Sequence, residues 1–305
     1  MTDPNVPRGA LSLQNVLKYT VQHHDQNAEP KSEGALDADR AEFLTNALSA
    51  MTTDVSTELR AALSILNSND ATTEEQIESL DVIRSHIDQI DNAISLIKLG
   101  GTATLLRYIK DGDSEVRISA LNTVAEVSQN NVFCQNALIN DQFLPELIKN
   151  LSDTNQEIVR SSLYAISSLI RNFQPGYDEF KRIKGITALI PCLKSTTLSV
   201  YIKTAFLIAA LTSNDKSARD DFVKAEVFPV LVDNLKLVED FDIKQETTLF
   251  AISSLSLESD LKLSTEKRKE ILSLLQQIIS KNKQSENCED IVNHARKIVD
   301  NLSAH

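Results

Sequence analysis

A stretch of this chain recurs at a fixed interval, and that recurrence constrains the fold more than any other feature of the sequence. The pentapeptide AISSL occupies residues 165–169 and returns at residues 251–255, which is 86 residues, or twice about 43, further on. Counting in steps of 42 aligns apolar residues in columns, one of which is Leu105, Leu147, Leu189 and Leu231. A polar column, Asn130, Asn172 and Asn214, keeps the same phase. A period of this length is typical of a protein built from stacked repeats.

Each repeat is predicted to be helical throughout. In residues 157–172 the apolar side chains lie at the three-to-four spacing of one buried helical face, without Gly or Pro. Every unit has an apolar first helix, a middle helix such as LPELIKNL (144–151) or ITALIPCL (186–193), a short polar break and a long third helix. No unit shows the period-2 alternation of a strand. One such unit cannot cover its own apolar face, so the units must stack.

A helical unit of 42 residues in this order resembles the armadillo repeat. The resemblance implies an all-α, right-handed α-solenoid of armadillo-like repeats with helical caps, in which the long third helices line a concave surface. We expect a flexible segment with a short amphipathic helix at 1–38, an N-terminal helical cap at 39–77, repeats at 78–257 and a C-terminal helical cap at 258–305. In the first segment Leu13, Val16 and Leu17 share one helical face.

Charge and composition exclude several classes of function. The net charge is −12 and no long basic run is present, which disfavours binding to phosphate backbones. No apolar stretch approaches the roughly 20 residues of a membrane span, and the first ten residues do not resemble a secretory signal. The three cysteines lie far apart with no paired spacing. Cys134 and Cys192 fall at or beside apolar columns, so we expect these two to be buried thiols. We expect a cytosolic location, with the nucleus as a second one.

Motifs for catalysis, cofactors and metals are weak or missing. The chain has seven glycines and neither of the common glycine-rich phosphate-binding patterns. Residues 264–267 match SxxK, but Ser264 is better explained as the cap of the next helix. Asp290 and His294 share a helical face, yet two ligands are too few for a specific metal site. We therefore expect no enzyme, no cofactor and no metal.

Polar residues recur on the long helices instead. Basic side chains lie near the helix starts, and Asn or Arg lies near the ends. Any single one is explained by helix capping or solvation, but stacked helices align such side chains into stripes. The set therefore predicts a partner-binding face. These residues are Arg117, Arg160, Lys203 and Lys244 near the starts, and Asn130, Arg171, Asn172 and Asn214 near the ends.

The peptide-binding armadillo proteins of the importin type are a poor match. They use a Trp and an Asn on successive third helices to hold an extended chain. This sequence has no Trp, and Ser168 and Ser254 stand where that Asn would be. The chemistry of that peptide groove is missing.

Another family matches over about residues 40–260. The segments IDNA (90–93), EVRISALNTVAEVSQNN (115–131), VRSSLYAISSLIRN (159–172) and IKTAFLIAALTS (202–213) occur in one order and spacing. Together they resemble the armadillo-type nucleotide exchange factors of heat-shock protein 70 (Hsp70), whose cytosolic members are the Hsp70-binding protein family. The N-terminal LQNVLKYTV is similar to the short leading segment of that family.

This resemblance implies an interaction protein with no active site. The capped ends expected for the stack favour a monomer. In the family, the concave surface embraces lobe II of the chaperone ATPase domain and loosens lobe I, so that ADP leaves, ATP enters and the client is released. By position, Asn92 and Ala93 of IDNA and Lys203 match the chaperone contact. A small residue at 93 permits close approach, and Lys203 can pair with a lobe II carboxylate. From face geometry we add Asn130, Arg160, Tyr164 and Arg171.

Two further expectations complete the interpretation. The family's flexible N-terminal segment is thought to occupy the client-binding site of the chaperone, and here residues 1–38 with Leu13, Val16 and Leu17 would be the client-release segment. The alternative function is a non-catalytic armadillo scaffold or adapter that binds another cytosolic protein.

Overall fold

The computed structural model describes residues 55–238, 240–257 and 259–303. They belong to the second of two compact units, Asp54–His305. The predicted segment 1–38, with its client-release residues Leu13, Val16 and Leu17, lies outside the described residues, as does the first part of the predicted N-terminal cap.

The described residues form helices and turns, with no strand among them. Short connections join most successive helices. None of the described helices is long and apolar enough to span a membrane. The helices are α1 Val55–Leu66, α2 Thr73–Arg84, α3 Ile90–Lys98, α4 Gly101–Lys110, α5 Ser114–Ser128, α6 Val132–Asn140, α7 Phe143–Asn150, α8 Gln156–Ile170, α9 Gln174–Arg182, α10 Gly185–Leu193, α11 Leu198–Thr212, α12 Lys216–Lys224, α13 Val227–Asn234, α14 Ile243–Ser256, α15 Thr265–Asn282 and α16 Glu289–Ser303, with a 3-10 turn at Glu286–Cys288.

Four three-helix units follow one another, α3–α5, α6–α8, α9–α11 and α12–α14. Their long third helices pack side by side, so that α5 contacts α8, α8 contacts α11 and α11 contacts α14. At the two ends α2 packs on α5 and α16 packs on α14, both in the place of a third helix. One hydrophobic core runs through the stack, because each unit buries the apolar face of its neighbour. The predicted all-α solenoid is confirmed.

The turn between the first and second helix of each unit has left-handed backbone at one residue. Gly100, Gln142, Lys184 and Glu226 have φ of 86°, 62°, 62° and 58°, and they are spaced 42 residues apart. Three of the four are not glycine, although a left-handed conformation is uncommon for other residues. The repeat geometry is therefore imposed by the packing of the flanking helices, and the residue types do not reveal it.

Two members of the polar column have a backbone explanation. Asn130 and Asn172 follow the ends of α5 and α8 with φ of 55° and 54°. Asn adopts the left-handed conformation more readily than most residues, and it therefore suits the position just past a helix end. The recurrence of Asn at these two positions is therefore explained first by the backbone conformation needed where the chain turns after a helix.

Hydrogen bonds tie neighbouring units along the second helices. Tyr108 Oη donates to Leu66 O at 2.8 Å, and Asn150 Nδ2 donates to Ile109 O at 2.9 Å. Asn234 Nδ2 repeats the pattern two units later, at 3.3 Å from a carbonyl of α10. Each donor satisfies a carbonyl near the end of another helix, in α1, α4 and α10 respectively, where no intrahelical partner is available.

Substituting Asn150 tests these bonds. In Asn150→Ala the carbonyl of Ile109 loses its donor and Arg117 Nη2 loses the amide oxygen that it contacts at 3.0 Å. Leaving buried polar groups unpaired should lower the free energy of unfolding by about 1–3 kcal/mol, measured by urea denaturation. Asn136→Ala is the control, because Asn136 is exposed and bonds only within its own helix. Equal losses in both variants would contradict this interpretation.

The three cysteines are free and buried, which confirms the buried thiols predicted at Cys134 and Cys192. Burial raises the pKa of Cys134 to about 12 and, as the largest of several effects, that of Cys192 to about 11. At about pH 8 only roughly one Cys192 thiol in a thousand is then ionised, against about a quarter in the unfolded chain. Native protein should therefore react very slowly with a chromogenic disulfide reagent, and protein in urea should react at once. A rapidly titrating thiol in the native protein would contradict this.

Candidate functional site

Two adjoining clefts open on the surface formed by the third helices, which we call the third-helix face. The central cleft, about 420 Å³, lies between α8 and α11 and is bordered by the end of α5. The N-terminal cleft, about 470 Å³, lies among α2, α3 and α5. Gln129 and Asn130 line both. The two clefts are therefore neighbouring parts of one surface.

The central cleft brings together four of the seven predicted partner-binding residues. Asn130, Tyr164, Arg171 and Lys203 all line it. Lys203 Nζ lies 5.1 Å from the centre of the Tyr164 ring, so a cation from α11 faces an aromatic ring from α8. Arg160 lies near Lys203 and hydrogen-bonds Glu157 through Nε at 2.6 Å.

The charge of the central cleft is opposite to that of the chain. Its only charged lining residues are Arg171 and Lys203, and within the described residues neither forms a salt bridge. Burial, and then the nearby charge of Arg160, lower the pKa of Lys203. A partly desolvated cation without a carboxylate is stabilised by an anionic group that a partner brings. This arrangement can hold carboxylates.

The other recurring basic residues are used within the fold. Arg117 Nη1 lies 2.9 Å from Asp153 Oδ2. Lys244 Nζ lies 4.3 Å from the centre of the Tyr201 ring. Of the four basic positions near the starts of the long helices, Lys203 is the one that lines the cleft.

An ion pair between α2 and α5 lines the N-terminal cleft, which also holds the carboxylate of Asp88. Arg84 of α2 donates through Nε and Nη2 to the two carboxylate oxygens of Glu126 of α5, at 2.9 and 2.6 Å. This bond is the main reason that the pKa of Arg84 is raised. Tyr164 Oη donates to Gln129 Oε1 at 3.3 Å, which extends the network into the central cleft. Together these contacts link α2, α5 and α8 across the face.

Ala93 lies on the same face as Lys203 but is not an exposed contact. Its side chain is 2% exposed and packs in the core, while it also lines the N-terminal cleft. Counting by 42, the equivalent residues are Gln135, Tyr177 and Arg219, all larger and all buried. The small residue leaves space in the N-terminal cleft. The role expected for Ala93, a small residue that permits close approach of a partner, stays a prediction.

Asn92 has a local role. Its Nδ2 donates to the backbone oxygen of His86 at 3.0 Å and so joins α3 to the turn before it. It lines neither cleft. The structure therefore does not bring Asn92 together with the other predicted site residues.

The sequence interpretation missed a row of rings on the third-helix face. Phe206 of α11, Phe250 of α14 and His294 of α16 stand in series, with ring centres 6.2 and 5.0 Å apart. We call these three residues the aromatic stripe. Phe206 also lines the central cleft, where Arg171 Cζ lies 5.9 Å from its ring centre. Tyr164 and Phe206 are 42 apart, so the start of the row was visible in the sequence.

The weak chemical motifs have structural explanations. Ser264 Oγ accepts from the backbone N of Lys267 at 3.1 Å, which confirms its predicted role as a helix cap. His294 lies 3.3 Å from Ser253 Oγ through Nδ1, and mainly burial lowers its pKa. In the described part of the chain no three His, Cys, Asp or Glu residues lie close enough to hold a metal ion.

Comparison with known proteins identifies relatives. The family described as nucleotide exchange factor Fes1 matches residues 13–96, and the ELMO armadillo-like helical domain matches residues 91–228. The Hsp70 nucleotide exchange factor FES1 of Coccidioides immitis is 27% identical over 177 residues, 56% of this chain and 83% of that protein. FES1 of Kluyveromyces lactis is 26% identical over 61% of this chain and 66% of its own length. Hsp70-binding protein 1 of Mus musculus is 26% identical over 67% of this chain and 61% of its own.

Solved structures agree on the fold. A designed armadillo repeat protein aligns with a TM-score of 0.64 at 18% identity, over 80% of this chain and 99% of that one. Fold and third-helix face together define an armadillo-repeat protein. The sequence relatives confirm the predicted resemblance, since the chain is similar to Hsp70 nucleotide exchange factors and to Hsp70-binding protein 1.

Proposed function

We propose that this chain is a nucleotide exchange factor, a co-chaperone that binds the ATPase domain of an Hsp70 chaperone and promotes release of ADP and of the client. The structural observation that carries the proposal is the central cleft, where Arg171 and Lys203 form no salt bridge within the described residues. The relationship to FES1 and to Hsp70-binding protein 1 supplies the partner. The chain acts by binding, and no bond is made or broken on it.

The energetics follow from linkage. A binding protein shifts a conformational equilibrium only by the difference between its affinities for the two states. This chain must therefore bind the open, nucleotide-poor ATPase domain more tightly than the closed ADP state. Coupling is reciprocal, so bound ADP weakens the complex by the same factor. Each tenfold factor corresponds to about 1.4 kcal/mol.

The third-helix face is built to resist deformation, which the mechanism requires. The ion pair between Arg84 and Glu126 joins α2 to α5, and the buried hydroxyl contact between Tyr201 and Thr248, at 2.6 Å, joins α11 to α14. A face that yielded to the closed ATPase domain would bind both states equally and shift nothing. In this proposal the third-helix face holds lobe II of the ATPase domain, and the resulting strain loosens lobe I, so that ADP can leave.

The remaining parts of the proposal concern contacts and location. Lys203 pairs with a carboxylate on lobe II, with Arg171 beside it and Arg160 and Tyr164 supporting it. Asn130 lies between the two clefts and borders the same contact. The chain works as a monomer in the cytosol, with the nucleus as a second location. Residues 1–38, through Leu13, Val16 and Leu17, act at the client-binding site of the chaperone.

An ADP-release experiment tests the function. An Hsp70 chaperone loaded with a fluorescent ADP analogue is mixed with excess ATP and increasing amounts of this chain, and the fluorescence decay is followed by stopped flow. The release rate should rise and saturate with the concentration of the chain. A designed armadillo repeat protein at equal concentration serves as control and should have no effect. An unchanged rate at saturating concentration would rule the proposal out.

The alternative is a non-catalytic scaffold or adapter for another cytosolic protein. The match of residues 91–228 to an armadillo-like helical domain from a different family favours it. In that case the chain, immobilised through its N-terminus, would enrich another protein from lysate and leave the chaperone at background. Enrichment of the chaperone, reversed by added ADP, would favour the exchange factor.

A further inference from the structure

The aromatic stripe is more exposed than packing requires. Phe206 is 47% exposed, although most of the residues around it on α11 are buried, and Phe250 and His294 are half-buried. Full burial of a Phe side chain contributes about 1.5–3 kcal/mol, and part of that contribution is forgone here. Single exposed apolar residues are common. Three rings in contact on one face form a contiguous patch, which is typical of an interaction surface.

The stripe is continuous with the candidate site. Phe206 lines the central cleft together with Arg171 and Lys203, and its ring is the first of the three. A protein surface seated on the cleft cations therefore also covers Phe206. From there the stripe leads over α14 to α16, at the C-terminal end of the stack.

Charges one helical turn before the rings change sign along the face. Arg160 precedes Tyr164 by four residues and Lys203 precedes Phe206 by three. In the structure Lys203 lies over the Tyr164 ring, and Arg160 is paired with Glu157. Glu246 precedes Phe250, and Asp290 precedes His294, each by four residues. These two carboxylates are close enough for Asp290 to raise the pKa of Glu246, after the larger effect of burial. The charges beside the rings thus change from the cations Lys203 and Arg171 to the carboxylates Glu246 and Asp290. Lys297 of α16 also lies near His294.

We propose that the aromatic stripe and the carboxylates of Glu246 and Asp290 form a second part of the surface that holds the chaperone ATPase domain. An apolar patch of that domain packs on Phe206 and Phe250, and a basic side chain beside the patch lies against Glu246 and Asp290. This inference rests on the proposed function. The reversal of charge along the row fixes the orientation of the partner, because a partner seated the other way would face like charges at both ends.

A stacking surface for single-stranded nucleic acid is the other use of rings in series. The sign of the charges argues against it, because Glu246 and Asp290 lie beside the last two rings and the chain carries a net charge of −12. Phosphates along such a strand would meet carboxylates at the end of the stripe. A protein partner can present carboxylates to the cationic end of the row and a basic side chain to the anionic end.

The test compares variants of the full chain in two measurements. Affinity for the nucleotide-free ATPase domain is measured by titration calorimetry, and ADP release is measured by stopped flow. Phe206→Ala should weaken binding at least about tenfold, and Phe206→Ala with Phe250→Ala about a hundredfold, since aromatic anchors carry much of the energy of an interface. The concentration of each variant that gives half of the maximal ADP-release rate should rise by the same factor as its dissociation constant. Phe133→Ala is the matched control, because Phe133 is 46% exposed on a first helix.

The outcomes separate this inference from the proposed function. If the unsubstituted chain neither binds the ATPase domain nor accelerates ADP release, the proposed function fails and this inference fails with it. If the unsubstituted chain is active and Phe206→Ala binds as tightly as Phe133→Ala, the inference alone is overturned. Binding of a fluorescent oligonucleotide that Phe206→Ala abolishes would also overturn it. Phe206→Ala is decisive by itself if the double variant melts early, because Phe206 is the most exposed of the three rings.

A charge-reversal variant tests the orientation. Glu246→Lys with Asp290→Lys should weaken binding at least about tenfold, because a basic side chain of the partner then faces two cations. Glu270→Lys with Glu266→Lys makes the same change of net charge on exposed positions of α15 and is the control. Equal affinity in the two double variants would contradict the proposed orientation.

Discussion

Charge reversal in the central cleft, by Lys203→Glu with Arg171→Glu, is expected to abolish the stimulation of ADP release. The two side chains are the only charged residues that line this cleft. Carboxylates placed there would face the carboxylates that the partner is proposed to present, and like charges at an interface cost several kcal/mol. The affinity for the ATPase domain should fall at least about a hundredfold. Stopped-flow ADP release and calorimetry measure the two effects.

The fold should survive this double substitution. Lys203 is half-buried and Arg171 exposed, and neither forms a salt bridge within the described residues that the change would break. A carboxylate at position 203 would lie near Arg160, whose charge is one cause of the lowered pKa of Lys203. The melting temperature is therefore expected to stay close to that of the unsubstituted chain.

The control for this prediction is Lys224→Glu with Lys269→Glu. Both lysines are exposed, on α12 and α15, and the change in net charge is the same, so long-range steering is matched. This control should keep most of its activity. Salt provides a second check, because binding by the unsubstituted chain should weaken as ionic strength rises. Equal loss in both double variants would place the effect in the overall charge and contradict a specific site.

The third-helix face could be predicted because it depends on periodicity. The 42-residue phase places Tyr164 and Phe206 at equivalent positions, and stacking then brings the neighbouring side chain of Lys203 next to Tyr164. Helices stacked in register turn such spacing into a surface without any knowledge of detailed packing. Most of the residues of the central cleft could be predicted from the sequence in this way.

Ala93 shows what periodicity leaves undecided. A nine-residue helix places several residues near the boundary between the core and the solvent, and a rotation of one residue moves a side chain across that boundary. The structure buries Ala93 and places Asn92 against the preceding turn. Arg at position 93 would therefore place a charge in the core, so loss of binding there could not be distinguished from loss of fold.

The second half of the face was hidden by a change of register. Phe206 and Phe250 are 44 residues apart, and so are Phe250 and His294, so a strict count by 42 separates them. The extra residues between Phe206 and Phe250 lie before α14, between residues 235 and 242. Between Phe250 and His294 one long helix, α15, replaces the two short helices of a repeat. Only the packing of α11, α14 and α16 against one another shows that the three rings stand in a row.

The structure also shows what the two serines do at the positions where importin-type proteins have the peptide-binding Asn. Ser168 lines the central cleft, and its backbone oxygen accepts from Gln135 Nε2 at 2.8 Å. Ser254 Oγ lies 3.1 Å from Ser213 Oγ, so this hydroxyl is used between units. Short side chains here leave room above the helices but supply no long amide to hold a peptide backbone. The face is better suited to a folded partner than to an extended chain.

Substituting Tyr201 is expected to have the largest effect on stability. Its ring is fully buried in α11, and its Oη lies 2.6 Å from Thr248 Oγ1 of α14. Thr248 Oγ1 already donates to Lys244 O at 2.6 Å, so the tyrosine is the donor in the contact between the helices. Tyr201→Ala removes both the ring and this bond, and should lower the free energy of unfolding by about 3–5 kcal/mol.

The loss of stability in Tyr201→Ala is confined to the contact between α11 and α14. We can therefore also predict how the variant unfolds. In a solenoid each unit is stabilised mainly by its neighbours, so a weak junction lets the two sides unfold separately. Urea unfolding of Tyr201→Ala, followed by circular dichroism, should show two transitions, the first from α14–α16. Tyr201→Phe keeps the ring and should lose only about 0.5–1.5 kcal/mol with one transition. If both variants unfold in a single step with equal losses of unfolding free energy, this contact does not couple α14–α16 to the rest of the stack. Other contacts between α11 and α14 would then hold the central cleft and the aromatic stripe together.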